Sequence, residues 1–186
     1  MFNDELKSNQ LLIDYEKFET VLDKKIIIKH WREIELPYEK AKLLSPIEVN
    51  AFLEKGKNQI FVNGNVEVML QIHCSRCLKP IEYWIDETFS SVYMDKRYEK
   101  FLSKSEQLKS LDNIIYYDGI TIDLTNRVIE TIISSVPIIP LCKEDCKGLC
   151  PICGADLNEN PDHNCENEEI DPRFSELKKL LEQGNF

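Results

Sequence analysis

Residues Leu141–Cys165 read LCKEDCKGLCPICGADLNENPDHNC, and five of the seven cysteines and one of the three histidines fall inside this stretch. Three residues lie between Cys142 and Cys146, two between Cys150 and Cys153, and one between His163 and Cys165. A two-residue gap lets one short turn aim both sulfurs at a single tetrahedral ion. In Cys150-Pro151-Ile152-Cys153-Gly154 the glycine is free to take the positive φ that follows the second sulfur, which swings backbone N–H groups toward the thiolates. Cys74 and Cys77, in CSRCLKP, form a second C-x2-C far upstream. An ion shared between residues 74 and 142 would close a long loop and fasten distant parts of the chain.

At 186 residues, with 42% hydrophobic and 9% aromatic side chains, the chain is long enough for one domain with a small appendage and a real core. No apolar run reaches the ~20 residues of a membrane helix. MFNDELKSNQ lacks the basic, apolar and small-residue order of a signal peptide. The expected location is cytoplasmic, with no membrane, where thiols stay reduced and clustered cysteines point to metal rather than disulfides. The odd count of seven fits disulfides badly as well.

The formal charge is −10, from 23 basic and 33 acidic residues. That balance argues against bulk electrostatic binding of DNA or RNA, which needs concentrated Lys and Arg. The acidity is concentrated: residues 156–171 hold seven acids and no base, which reads as a solvated acidic loop. The most basic patch is Lys24 to Arg32, with Trp31 as a stacking surface. An edge strand guarded by lysines explains it better than RNA contact.

Between residues 10 and 45, Leu11-Leu12-Ile13 and Ile26-Ile27-Ile28 are short enough for strands, with a turn of helix between Tyr15 and Leu22. Ile47 to Leu53 and Gln59 to Val62 flank Glu54-Lys55-Gly56-Lys57, and Asn63-Gly64 is a strong signal for a type I′ hairpin turn. Val66, Val68, Leu70 and Ile72 alternate with polar residues, as in a strand with one buried face, and Ile81, Tyr83 and Ile85 do the same on the way to Tyr93. Cys74-Ser75-Arg76-Cys77 thus caps a β-hairpin. Residues 95–113 are polar and read as a loop. Ile114 to Ile122, around Asp118-Gly119, suggests a second small hairpin or a bend. Asp123 is placed to cap a long helix with Leu124, Val128, Ile129, Ile132, Ile133 and Val136 on one side, stopped by Pro137. Asp171-Pro172 opens a short C-terminal helix carrying Phe174, Leu177, Leu180 and Leu181. The expected architecture is α+β: an antiparallel β-rich domain with a long helix after the sheet, a zinc-stapled cysteine tail and a short C-terminal helix. The corresponding boundaries are 1–141, 142–170 and 171–186.

Eight ligands are on offer: all seven cysteines and His163. Chain order suggests one structural zinc site of Cys74, Cys77, Cys142 and Cys146, and a second of Cys150, Cys153, His163 and Cys165. The alternative is a single site of Cys142, Cys146, Cys150 and Cys153, leaving the upstream pair free. His30 and His73 read as a surface residue and a strand residue. Catalysis is not expected. A catalytic zinc keeps an open position, and four sulfur or nitrogen donors leave none. Cys146-x3-Cys150-x2-Cys153 mimics the cluster motif of radical enzymes, but only 33 residues follow it. Cys77 leads into a strand rather than opening the helix that thioredoxin-like chemistry wants.

CSRCLKP on its hairpin, VPIIPLC after the helix, CKGLCPICGADLN and EIDPRFSELKKL together resemble the bacterial YceD family, from about Pro46 to Leu181. That family is described as large ribosomal RNA subunit accumulation proteins. The resemblance implies a cytoplasmic, non-catalytic role in maturation or accumulation of 23S ribosomal RNA. Members with the tail motif often carry Cys-x-Cys where this chain has His163-x-Cys165, and imidazole can replace thiolate on zinc. Two mechanisms follow. An acidic adaptor would hold a basic ribosomal or assembly protein. Alternatively, the chain would contact ribosomal RNA directly through Lys24 to Arg32, Arg76, Lys79 and the lysines between Lys96 and Lys109.

Overall fold

Strict alternation of apolar and polar residues over two long segments builds the centre of the protein. β5 (Ile47–Lys55), β6 (Gln59–His73) and β7 (Pro80–Asp95) each place every second side chain inward. Val49, Leu53, Val62, Val66, Val68, Leu70 and Ile72 are fully buried. Each such side chain contributes about 1.5–3 kcal/mol of transfer free energy. The computed structural model describes residues 9–99 and 114–165. Among these, a seven-stranded sheet runs β2 (Val21–Ile28), β5, β6, β4 (Lys40–Leu43), β3 (Glu33–Glu35), with β7 along the other edge of β6. β8 (Ile114–Tyr117) pairs parallel to β7, while β1 (Leu12–Asp14) and β9 (Thr121–Asp123) form a separate two-stranded sheet. α1 is the single turn Lys96–Glu99 and α2 is Thr125–Ser135.

The described residues fall into two units. One holds residues 9–74, 79–99 and 114–140; the other holds 75–78 and 141–165. In the first unit α2 lays Val128 and Ile132 into the core formed by the inner face of the sheet. Tyrosine hydroxyls fix its surroundings: Tyr93 donates to the Asp123 carbonyl at 3.0 Å and Tyr83 to that of Ser135 at 3.1 Å. Among the described residues no helix is long and apolar enough to cross a membrane.

Three expectations need correction. The long helix is not present: α2 is three turns, 11 residues. Its last turn is rich in serine, and the Ser134 and Ser135 hydroxyls donate to the Thr131 carbonyl, competing with the backbone ladder. Val136 then turns extended (ψ 128°), as the residue before a proline prefers. Its start is held by Asp123, whose Oδ1 accepts from the Thr125 N–H at 2.8 Å. Asn63-Gly64 is no hairpin turn; both residues lie inside β6, and the β5–β6 turn is at residues 56–58. Gly64 is there because the Phe89 ring of β7 lies across it, where a Cβ would come within 2.5 Å of Phe89 Cζ and 2.9 Å of the Asn50 carbonyl oxygen. Of the hairpin and the bend expected over Ile114 to Ile122, the structure has the bend: β8 and β9 join different sheets and Gly119 (φ 84°) turns the chain between them. Trp31 offers no stacking surface: it is 5% exposed. β2 itself pairs only with β5 among the described strands, so the lysine-bearing segment is an edge. The C-terminal helix expected after Asp171-Pro172 lies outside the described residues.

The close approach at Gly64 is testable. Gly64→Ala should lower unfolding free energy by about 1–3 kcal/mol, read from urea or thermal melts, because the methyl overpacks the ring. In a Phe89→Ala background the same substitution should cost less, with a remainder from the Asn50 carbonyl. Equal costs in both backgrounds would show that the ring is not the reason for the glycine.

Candidate metal centres

Two six-residue turns of the same local form carry four of the thiols. Between β6 and β7 the Cys74 N–H donates to the Lys79 carbonyl at 2.9 Å, and in the tail the Cys150 N–H donates to the Ala155 carbonyl at 2.8 Å. Each bond spans five residues from the first cysteine, and in each turn the residue after the second cysteine is left-handed. In the tail that residue is Gly154 (φ 75°); in the upstream turn it is Leu78 (φ 58°), the single non-glycine residue with positive φ among those described. Leucine there costs roughly 1–2 kcal/mol in backbone strain. The turn geometry is therefore worth more than the residue's own preference.

The sulfurs of Cys74, Cys77, Cys142 and Cys146 all lie within 4.8 Å of one another, as do the ligand atoms of Cys150, Cys153, His163 and Cys165. The structure thus brings all eight sequence candidates into two groups of four and does not gather Cys142, Cys146, Cys150 and Cys153 at one point. In the first group Cys77 Sγ and Cys142 Sγ are 3.6 Å apart. In the second, His163 Nε2 lies 3.1 Å from Cys153 Sγ. His73 stands apart, with Nδ1 2.6 Å from Glu39 Oε2, and His30 is exposed. Either group could hold a metal ion. All-thiolate and three-thiolate-plus-imidazole sets are the donors that zinc takes in closed tetrahedral sites.

Sequence reasoning missed the residues that support the donors. Asn158 donates Nδ2–H to Cys146 Sγ at 3.4 Å, while its Oδ1 accepts from the Lys147 N–H at 2.9 Å. Asp156 Oδ1 in turn accepts from both the backbone N–H and the side-chain amide of Asn158. Arg76 donates Nη1–H to the Cys146 carbonyl at 2.8 Å. Gly148 (φ 78°) lets this happen, since a Cβ there would meet the Arg76 carbonyl oxygen at 3.1 Å. No spacing rule marks these residues. Donation to a ligating sulfur is a known way to orient it and lower its charge density.

The thiols differ in acidity. Cys150 is held down to about 6, first by the Cys153 N–H and then by the Ile152 N–H, which point at its sulfur. Burial works to raise Cys146, but donation from Asn158 and the Gly148 N–H outweighs it and the thiol ends below its usual range. Cys165 is pushed up to about 11, first by its hydrogen bond to Cys153 and then by burial. Without a cation, a further negative charge beside Cys150 and Cys153 is disfavoured. A dication reverses that ordering and draws off the remaining protons.

Reduced protein should therefore carry two zinc ions per chain by elemental analysis, with chelator removing both. One ion would mean that one of the groups is a cluster of free thiols, and iron with visible absorbance would exclude zinc. Cys77→Ser should lower stability by an amount on the order of several kcal/mol, because metal binding that closes residues 77 to 142 is folding energy. Cys153→Ser should loosen the turns of residues 148–165 and leave amide exchange in the sheet unchanged. Equal, global unfolding by both variants would refute this partition.

The description of the family model that matches the chain is Large ribosomal RNA subunit accumulation protein YceD, and the match covers residues 62–181. Uncharacterized proteins of Mycobacterium tuberculosis and Mycobacterium bovis are each 28% identical over 137 residues, 73% of this chain and 62% of the relative. The chain thus spans less than two thirds of the length of these curated relatives. An Arabidopsis thaliana protein named as a chloroplastic large ribosomal RNA subunit accumulation protein YCED homolog is 24% identical over 160 residues, 75% of this chain and 50% of its own length. No solved structure matches. The family model spans more than half of the residues, and the chain belongs to the YceD family of large ribosomal RNA subunit accumulation proteins.

Proposed function

We propose that this protein is a non-catalytic, zinc-stapled factor that supports accumulation and maturation of 23S ribosomal RNA in the cytoplasm, acting as an adaptor for a basic ribosomal or assembly protein. The observation that carries the non-catalytic part is the closure of both donor sets. Each group supplies four ligand atoms to one point, so a tetrahedral ion has no position left for water or substrate. The family name supports the ribosomal part. Charge supports the adaptor part. Four thiolates around a dication leave −2 and three with an imidazole leave −1, so the metal-bound chain carries about −13. Such a chain meets naked RNA with unfavourable long-range electrostatics and a basic protein with favourable ones.

The cations named for direct RNA contact are partly committed elsewhere. Lys25 Nζ is 2.7 Å from Glu48 Oε2, and Arg76 is held on the Cys146 carbonyl. One observation favours the direct reading: a hollow of about 230 Å³ lined by Tyr15, Tyr98, Tyr117, Lys57 and Arg97, which combines rings with cations. Arg97, however, is neutralised by a two-pronged contact with Asp95. The hollow offers room for one stacked base rather than a track for a strand.

Depleting the protein should lower mature 23S relative to 16S ribosomal RNA, measured on total RNA. An unchanged ratio would remove the ribosomal role. Nanomolar binding to free 23S fragments with a steep salt slope would replace the adaptor mechanism with direct contact.

A further inference from the structure

We infer that the outer face of the sheet formed by β2, β5, β6 and β7 is a docking surface for a basic protein segment. The inference rests on the adaptor reading above and gives that adaptor its working surface. Cross-strand pairs share a face, so the registers of β2 with β5, β5 with β6 and β6 with β7 fix which side chains stand together. The inner face is filled by the core and α2. On the outer face of these four strands, from the row of Val21 to the row of Glu82, no side chain is buried. Among the described residues nothing covers it.

Its composition says what kind of partner fits. Val21, Ile27, Phe52, Phe61 and Trp84 stand on this face as exposed large apolar groups, Trp84 being 52% exposed. Phe52 and Phe61 are diagonal neighbours in the register, while Ile27 and Trp84 stand apart from them on rows of their own, so apolar groups alternate with polar ones across the face. Between them lie six carboxylates: Asp23, Glu48, Glu54, Glu67, Glu82 and Asp86. Lys25 is the single Lys or Arg on the outward positions of these strands, and Glu48 already holds it. The row through Glu48, Glu67 and Asp86 sets three carboxylates directly opposite one another on successive strands, of which Lys25 balances the first and leaves Glu67 and Asp86 facing each other. Like charges in that arrangement oppose folding, and nothing in the core requires them. They are relieved when a cationic partner lies across the row. Asn65 Nδ2 donates to Asp86 Oδ1 at 2.7 Å, which orients that carboxylate. Above the acidic row a hollow of about 480 Å³ is lined by Asp23, Phe52, Asn63, Asn65, Thr88 and Ser90. Its amides and hydroxyls can meet main-chain groups of an extended segment.

Exposed rings on an open sheet would equally suit stacked bases, as in single-stranded RNA platforms. The carboxylates decide against that, because a phosphate chain crossing these four strands would run over six anions, with Lys25 already held by Glu48 and the nearest further lysine, Lys42, on β4 opposite Gln71. Arginine and lysine interleaved with apolar residues satisfy both features, and an arginine over the indole of Trp84 adds a cation–π contact.

The test uses the full-length, metal-loaded chain and a short fluorescein-labelled peptide alternating arginine with leucine, followed by anisotropy. The face variant is Glu48→Gln, Glu67→Gln and Asp86→Asn together. The control, Glu16→Gln, Glu19→Gln and Asp118→Asn, makes the same charge change on exposed residues elsewhere. Peptide binding should weaken at least about tenfold in the face variant, stay within about twofold in the control, and weaken with Trp84→Ala. Equal loss in face variant and control would reduce the effect to net charge and overturn the proposal, as would absence of binding by the wild-type chain. A mixed-sequence single-stranded RNA that binds the wild type, displaces the peptide and loses binding with Trp84→Ala would make the face an RNA platform instead. In depleted cells the face variant, with its metal content intact, should fail to restore the 23S to 16S ratio. Lost peptide binding with full restoration would keep the docking face and remove its ribosomal role, so the two readings fail separately.

Discussion

The fifteen-residue antiparallel pairing of β6 with β7 is the constraint on which the rest depends. Its register runs unbroken from Gln59 opposite Met94 to His73 opposite Pro80. A continuous register with period two commits every side chain of both strands to one face, and a slip of one residue would exchange the two faces entirely. The inner face receives Val62, Val66, Val68, Leu70, Ile72 and Ile85, and with them a core large enough to hold the register. The outer face receives what remains, the carboxylates and exposed rings. At its far end the same pairing brings Cys74 and Cys77 into a tight turn. Core, surface and first donor pair thus follow from one alignment of two strands.

Much of this was legible in the sequence. Alternation from Val66 to Ile72 and from Ile81 to Ile85 is a direct imprint of half-buried strands, and C-x2-C spacing is a direct imprint of a turn that points two sulfurs one way. The order of the cysteines along the chain suggests the same two groups of four that the structure assembles. What misled was information that lives in pairs of residues far apart. Asn63-Gly64 carries the composition of a turn, and only the Phe89 ring of the neighbouring strand explains a glycine inside β6. Trp31 sits in a basic stretch, and only the folded core shows that it faces inward. The apolar stripe from Leu124 to Val136 predicts a long helix, whereas hydroxyl competition at Thr131 and the proline at 137 end it in three turns. Asn158 and Arg76, which support the Cys146 end of the first donor group, leave no trace in spacing at all.

Leu78 brings strain and function to one position. The two turns make the same backbone hydrogen bond and the same left-handed exit, yet one uses Gly154 and the other a leucine. A leucine holds a left-handed conformation when its surroundings over-determine it. Here the surroundings are the start of β7 on one side and the Cys74, Cys77, Cys142 and Cys146 donors on the other. Shared ligation of one ion by four sulfurs would be worth far more than the roughly 1–2 kcal/mol of strain. An ion held by these four sulfurs would oppose relaxation of the exit at Leu78, and its removal would leave that strain to be carried by the turn alone. A donor group that closed on one ion here would act on the fold, and the proposed recognition would then fall to the surfaces that the sheet presents.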